Sequence, residues 1–302
     1  MTPDGSQRYP IVDGIPILLV REHSLFDSAD YTNDRAVSSW SGRMLGRLKE
    51  AIRTGLHRPP TLSRSVSTKR NYAHLQRLLR GKIISSDRAV RLLVVGGATV
   101  GTGAAEILNT AGLEVIETDI VLSERTVVIC DGHDLPFADG SFDAVICQAV
   151  LEHVLDPQRV ADEIWRVLRP EGFIYSEIPF MQQVHMGAFD FTRFTQLGHR
   201  RLWRRFDELR SGAQGGPGMA LIWSVAYFVR AFVPSVMWPV VDRCVSLGFF
   251  WLKYFDDYLV TKPGGIDAAS GTFFLGARRD TPIDDRAIVR GYLGGGRMRL
   301  TS

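Results

Sequence analysis

The sequence predicts a doubly wound α/β sheet. Three observations predict it. From Arg91 onward, β-branched apolar runs alternate with helical patterns, and that rhythm demands parallel pairing with crossover connections. The first run, Arg91-Leu92-Leu93-Val94-Val95, opens directly into Gly96 and Gly97, as a strand does when it must turn tightly into a helix. Carboxylates, Asp119 and Asp131, close the second and third runs. Those ends form the sheet edge at which such folds place ligands.

The elements read in order as follows. Residues 1–22 form an N-terminal segment in which Asp13-Gly14 is a hairpin turn between Tyr9–Val12 and Ile15–Leu18. Residues 23–88 are a basic helical cover. It begins with a helix over 35–56, where Trp40, Met44, Leu48 and Ile52 recur at fourfold spacing. Pro59-Pro60 and the Ser/Thr-rich 61–68 break that helix. A second helix over 71–79 sets Tyr72, Leu75 and Leu79 on one face, with Gly81 as its stop.

Residues 89–216 form the core. Its strands are RLLVV, LEVIETDI, RTVVICDG, FDAVICQAV and GFIYSEIP, with helices over GTGAAEILNTAG and 157–168. LGHRRLWRRF reads as a basic amphipathic helix and FDELRSG as a sixth strand. The chain then passes through an apolar helical insertion at 217–266 and a last core strand at 267–279 (GTFFLGARR). A polar, Gly-rich tail at 280–302 is expected to be poorly ordered.

Composition excludes several classes. With 302 residues, 45% hydrophobic and 23% charged, the chain is neither disordered throughout, nor collagen-like, nor a multi-span membrane protein. Three cysteines are too few and too scattered for a disulfide framework or a zinc knuckle. Cys130 and Cys147 lie in strand-like runs and read as core thiols. No metal is expected. The first residues lack a basic n-region and an apolar h-region, so the expected location is cytoplasmic.

The net charge of +3 hides an asymmetry. Between Arg43 and Arg91 stand 13 bases and two acids, Glu50 and Asp87, so that segment carries +11. The remaining 23 bases and 31 acids carry −8. A basic stretch of this kind asks for an anionic neighbour: another part of the chain, a phosphorylated ligand, nucleic acid or a membrane surface. A solvated helix with flexible flanks is the plainer reading.

Between Met219 and Leu252 only Arg230, Asp242 and Arg243 are charged, while Trp223, Trp238 and Trp251 fall there. The uncharged runs are shorter than the ~20 residues of a spanning helix. Two readings stand: a helical cap that roofs an acceptor pocket, or an interfacial patch that dips into a bilayer, with the basic segment drawn to anionic headgroups.

The ordered stretch DGHDLPFADGSFDAVICQAVLEHVLDP, followed by EIWRVLRPEGFIYSEIP, resembles the class I S-adenosylmethionine-dependent methyltransferases, in particular the broad small-molecule, quinone and sugar subgroup. The resemblance runs from Arg91 to Pro179 and implies a Rossmann-like seven-stranded sheet with an antiparallel last strand. It implies S-adenosyl-L-methionine as cofactor. Gly96, Gly97 and Ala98 match the glycine turn under the methionine part, Asp119 the ribose-binding acid, and Asp131 with Gly132 and His133 the adenine-contacting strip. Gln148 and Ala149 match the positions lining the sulfonium end. Val94 stands where the family usually has an acid, and Ala98 replaces the second glycine.

Loops of the form P-F…H…D-F-x-R-F-T also occur in that subgroup, which extends the resemblance to Thr195. His185 is the candidate catalytic base or acceptor-positioning group, because histidine takes a proton near neutral pH; a hydrogen-bonded loop anchor is the plainer reading. His153, Asp190 and Arg193 are candidate acceptor-site groups, although Asp190 and Arg193 also suit a pair that pins the loop.

The expected activity is methyl transfer to a small-molecule or glycan/lipid-linked acceptor at oxygen, and peripheral membrane contact is a further expectation. The alternatives are a non-catalytic S-adenosyl-ligand scaffold or sensor, suggested by Val94 and Ala98, and an RNA methyltransferase. The phrase YPIVDGIPILL resembles the end of the zinc-ribbon-like domain of the tRNA-methyltransferase activator family, without its cysteines. Against a nucleic-acid acceptor, strand four ends in Gln148-Ala149-Val150-Leu151 and not in an Asn-Pro-Pro-Tyr tetrad.

Overall fold

The computed structural model describes residues 9–32, 64–101 and 103–296. The expected helix over 35–56, the Pro59-Pro60 break and the last six residues lie outside the described residues.

Among the described residues nine strands form one sheet: β1 (Ile11–Val12), β2 (Ile15–Leu18), β3 (Val90–Val95), β4 (Leu113–Asp119), β5 (Val128–Cys130), β6 (Phe142–Gln148), β7 (Leu168–Pro179), β8 (Phe206–Gly215) and β9 (Gly271–Arg278). Their order is β1-β2-β5-β4-β3-β6-β7-β9-β8. From β5 to β8 this is the expected doubly wound, Rossmann-like sheet, with β9 antiparallel to both β7 and β8. The expected count of seven is corrected to nine. The N-terminal hairpin turns at Asp13 and Gly14, both at positive φ, and β2 then pairs in parallel with β5. The unpaired N–H and C=O groups of β5 make that edge a template for another strand.

Each face of the sheet is covered. On one, the helix Thr68–Ser85 buries Tyr72, Leu75 and Leu79 against Leu92, Val94 and Ile146. It runs through Gly81 instead of stopping there and ends where Ser86 turns extended. On the other face, the helix Pro157–Val167 starts with Asp156 accepting from the Arg159 N–H and with Pro157 in the first turn. Its apolar stripe, Val160, Ala161, Ile164 and Val167, meets Leu93, Val145 and Ile174. That stripe repeats at helical spacing, so burial of one face holds the helix.

Three further segments depart from the sequence reading. The helix after the glycine turn is one turn long, Ala105–Leu108, with no side-chain cap. In the LGHRRLWRRF segment the helix Gln196–Leu202 buries Arg200, which pairs with Glu208 at 2.8 Å and donates to the Trp203 and Phe206 carbonyls. The tail is ordered over Asp285–Arg290, because Asp284 caps that helix and Ile288 is buried.

The insertion packs first upon itself. Ile222 and Ala226 of the helix Pro217–Arg230 meet Val241 and Val245 of the helix Trp238–Phe249. The fully buried Asp256 accepts from the Gly218 and Met219 N–H groups. Gly218 is required at this point, since a Cβ there would lie 2.4 Å from the Leu252 carbonyl oxygen. Among the described residues, no helix is long and apolar enough to cross a membrane.

Candidate active site

The carboxyl ends of β3, β4, β5 and β6 open into a cavity of about 490 Å³. That is the size of ordinary small-molecule pockets, about 300–1,000 Å³. Gly96, Ala98, Asp119, Asp131, Gly132, His133, Gln148, Ala149 and His153 all line it. Gly97, His185, Asp190 and Arg193 do not.

The glycine turn is shaped by the protein itself. Gly96 has φ +79°, and a Cβ there would lie 2.3 Å from Val150 Cγ2. A Cβ on Gly101 would lie 1.9 Å from Gln148 Oε1. Asp119 holds this loop, with one oxygen accepting from the Ala98 N–H at 2.9 Å and the other from the Val121 N–H at 2.9 Å. The Ile120 N–H also bonds this carboxylate. Burial outweighs those bonds and raises the Asp119 pKa.

Asp131 is more committed. One oxygen accepts from the Ser24 hydroxyl at 2.7 Å, and the other accepts from both the N–H and Nδ1 of His133. Burial pushes its pKa up, but the His133 and Ser24 bonds prevail and hold it low. His133 Nε2 accepts from the Asp156 N–H at 3.0 Å, which places the ring proton on Nδ1. Asp131 and His133 therefore join the strand end to the start of the next helix.

At the opposite wall, Gln148 Oε1 accepts from the Tyr72 hydroxyl at 2.8 Å, and Gln148 Nε2 donates to Glu177 at 2.6 Å. Glu177 also accepts from Thr68 and Tyr175, and burial raises its pKa. Ala149 sits at φ +55°, a conformation costly for a residue with a Cβ. Val94 reaches the cavity as an apolar group.

His153 borders the cavity and donates Nδ1–H to the Phe189 carbonyl at 2.7 Å. His185 stands behind it, the two rings edge to face with centroids 4.8 Å apart. Arg193 grips Asp190 with both guanidinium nitrogens and also donates to the Gln182 and Thr192 carbonyls. Burial opposes ionisation of Asp190, but Arg193 prevails and its pKa falls to about 2. Between these groups, buried Glu152 has its pKa raised to about 7 by desolvation.

Sequence reasoning missed the mouth of the cavity. Phe26 and Phe189 stack there with centroids 5.8 Å apart, beside Leu25 and Met186. Leu25 and Phe26 follow a hairpin whose attachment to β5 no local pattern announces. The insertion contributes no lining residue, so the expected roof over this cavity is corrected. Its helices pack on each other, on Ala213 of β8 through Ile266 and Ala269, and on the loop after β7, where Ser224 accepts from Gln183 Nε2 at 3.1 Å and Tyr227 donates to the Val184 carbonyl at 2.7 Å.

Residues 97–176 match the family model described as a methyltransferase domain. This stretch carries a methyltransferase domain. Over 96 residues the chain is 31% identical to a ubiquinone biosynthesis O-methyltransferase of Chromobacterium violaceum, covering 32% of this chain and 39% of the relative. A methyltransferase of Mycolicibacterium gilvum, named as uncharacterized, is 49% identical over 108 residues, covering 32% of this chain and 41% of the relative. The matches thus span about two-fifths of these relatives. A solved 1,6-didemethyltoxoflavin-N1-methyltransferase of Burkholderia thailandensis is similar at 15% identity and a TM-score of 0.42, covering 84% of this chain and 89% of that one.

Proposed function

We propose that the chain transfers a methyl group from S-adenosyl-L-methionine to a small-molecule or glycan- or lipid-linked acceptor, at an oxygen. The observation that carries this reading is one cavity, in a methyltransferase domain, that gathers the glycine turn, Asp119, the Asp131–His133 strip and Gln148-Ala149. The residues present fit the adenosine part of that cofactor. Asp119 lines the cavity with an acceptor carboxylate suited to a ribose diol, and Ile120, Val121 and Leu155 offer apolar surface beside it. At the methionine end, Tyr72 and Gln148 supply polar atoms near Val94.

The cofactor supplies an electrophilic methyl on a sulfonium. The protein's work is to align the acceptor and exclude water. Phe26 and Phe189 stack at the mouth, where they shed water from a bound ligand. His153, Met186 and Phe189 form the acceptor side. His185 acts there through His153, since its own ring is not part of the lining. Calorimetry with S-adenosylhomocysteine tests the reading. Binding should weaken about tenfold or more in Asp119→Ala, which removes a charge-assisted acceptor. Absent binding at millimolar ligand sinks it. Labelled-methyl transfer in a cell extract then separates an enzyme from a non-catalytic scaffold and identifies the acceptor class.

A second observation favours peripheral membrane contact. Phe228 is 68% and Phe232 75% exposed, and Trp238, Trp251, Phe255 and Tyr258 are exposed in the same insertion. Apolar exposure on this scale marks a surface that meets something apolar, and aromatic rings suit a bilayer interface. Cosedimentation with anionic liposomes at low salt should be seen in the wild type and lost in a Phe228→Ser/Phe232→Ser variant. An unbound wild type removes the idea.

A further inference from the structure

We propose that Glu152, His153 and His185 bind one divalent transition-metal ion, such as zinc, beside the cavity. Their ligand atoms lie within 4.8 Å of one another. Glu152 Oε1 stands 3.6 Å from His153 Nε2 and 3.9 Å from His185 Nε2. Donors around a tetrahedral ion with bonds of about 2.1 Å stand roughly 3.4 Å apart, so Glu152 already stands near ligand spacing from each histidine, and side-chain rotation brings the two rings closer together on a metal.

The proton positions fit ligation. His153 gives its Nδ1 proton to the Phe189 carbonyl, which leaves a lone pair on Nε2. His185 Nδ1 faces Asp190 Oδ2 at 3.2 Å, and its backbone N–H donates to the same oxygen at 2.9 Å. Arg193 Nη2 is farther from Nδ1, at 3.4 Å, and its guanidinium is committed to both Asp190 oxygens. The His185 proton therefore belongs on Nδ1, and Nε2 carries the lone pair. A carbonyl and a carboxylate behind the two rings are the usual outer partners of metal-bound histidines.

The decisive observation is Glu152. Its residue is 1% exposed, and neither carboxylate oxygen has a hydrogen-bond partner among the described residues. Its distances to the histidines are too long for hydrogen bonds. Three electron-pair donors thus face one another, with the Glu152 carboxylate buried and the two rings reaching it from the more open side; a buried carboxylate without a partner costs free energy, and a cation at this point would offset it. The loop is held in place for it: the Glu152 carbonyl accepts from the Phe191 and Thr192 N–H groups, which fastens the 185–193 segment against the end of β6.

Two imidazoles and one carboxylate leave coordination positions open, as in catalytic rather than structural sites. His153 is shared with the cavity wall, so an oxygen- or sulfur-bearing ligand in the cavity lies next to those positions. A metal there would ease loss of a proton from a bound hydroxyl or thiol. That consequence rests on the proposed methyl transfer; the metal site does not.

The test uses the full chain, stripped of metal by chelation and dialysis, then titrated with Co²⁺ by visible absorption and with Zn²⁺ by calorimetry. The expected result is one ion per chain, with d–d bands of nitrogen ligation, and affinity reduced about 100-fold in Glu152→Gln and in His185→Gln. Asp190→Asn, which loosens the His185 ring, should weaken binding about tenfold. Circular dichroism and S-adenosylhomocysteine binding check that each variant is folded. A wild type that takes up no stoichiometric Co²⁺ or Zn²⁺ overturns the proposal, as do folded variants that bind like wild type. S-adenosylhomocysteine binding without metal uptake overturns the metal site alone; metal uptake without that binding overturns the cofactor reading alone.

Discussion

Gln148 and Glu177 are direct cross-strand partners at the ends of β6 and β7, and Gln148 Nε2 donates to Glu177 Oε2 at 2.6 Å. This bond ties a cavity-lining side chain to a buried carboxylate that also holds Thr68 and Tyr175. Glu177→Ala leaves three donors without their acceptor. The expected cost is about 3 kcal/mol, read from urea unfolding, together with weaker S-adenosylhomocysteine binding because Gln148 loses its orientation. Unchanged stability would show that the network is not formed.

Ala149 provides a test of backbone strain. At φ +55° it occupies a region that disfavours a Cβ, and its N–H donates to the Glu177 carbonyl. Ala149→Gly is expected to be neutral or to stabilise by up to about 1 kcal/mol, whereas Ala149→Val loses about 2 kcal/mol, since a β-branched side chain tolerates positive φ least. Midpoints of denaturant unfolding rank the two; a glycine variant less stable than the valine variant contradicts the strain.

Arg193 pins the loop that carries His185 and Phe189. The Asp190 side chain is 1% exposed, so Arg193→Leu strands a buried charge at an expected cost of about 3 kcal/mol. The Asp190→Asn/Arg193→Leu double variant should recover part of that loss. Additive losses in the double-mutant cycle would mean that the two groups are not coupled.

His199 predicts a pH dependence. Its ring lies between Ser176 and Thr272, each 3.0 Å away, and burial lowers its pKa to about 3. The folded ring stays neutral while the unfolded chain protonates near pH 6.5. Its stabilising contribution is therefore complete above that pH and is lost as pH falls toward the folded value. Relative to His199→Gln, the wild type should lose about 1.4 kcal/mol per pH unit below about pH 6. Urea midpoints at pH 7, 6 and 5 measure the difference, and a constant gap refutes the assignment.

The basic segment found part of its anionic neighbourhood within the chain. Arg88 and the Arg91 N–H meet the buried carboxylate of Asp143, which Arg169 also grips. Burial pushes the Asp143 pKa up, yet these partners hold it below the usual range. Arg64 pairs with Asp257 of the insertion at 2.7 Å. A count of charges shows the imbalance, but only the folded chain shows which acids lie opposite.

By itself the sequence determined the core of the sheet and the composition of one cavity wall, because both are written in short-range patterns. Strand and helix periodicity marked β3 to β9, and the glycine turn, Asp119, Asp131 and Gln148-Ala149 stand at strand ends that parallel topology must bring to one edge. Only the tertiary structure decided the nine-strand count, the aromatic mouth of Phe26 and Phe189, the outward-facing insertion and the meeting of Glu152 with His153 and His185. Each of those depends on segments far apart in the chain. Edge pairing, loop docking and shared burial act through space, and no local periodicity encodes them.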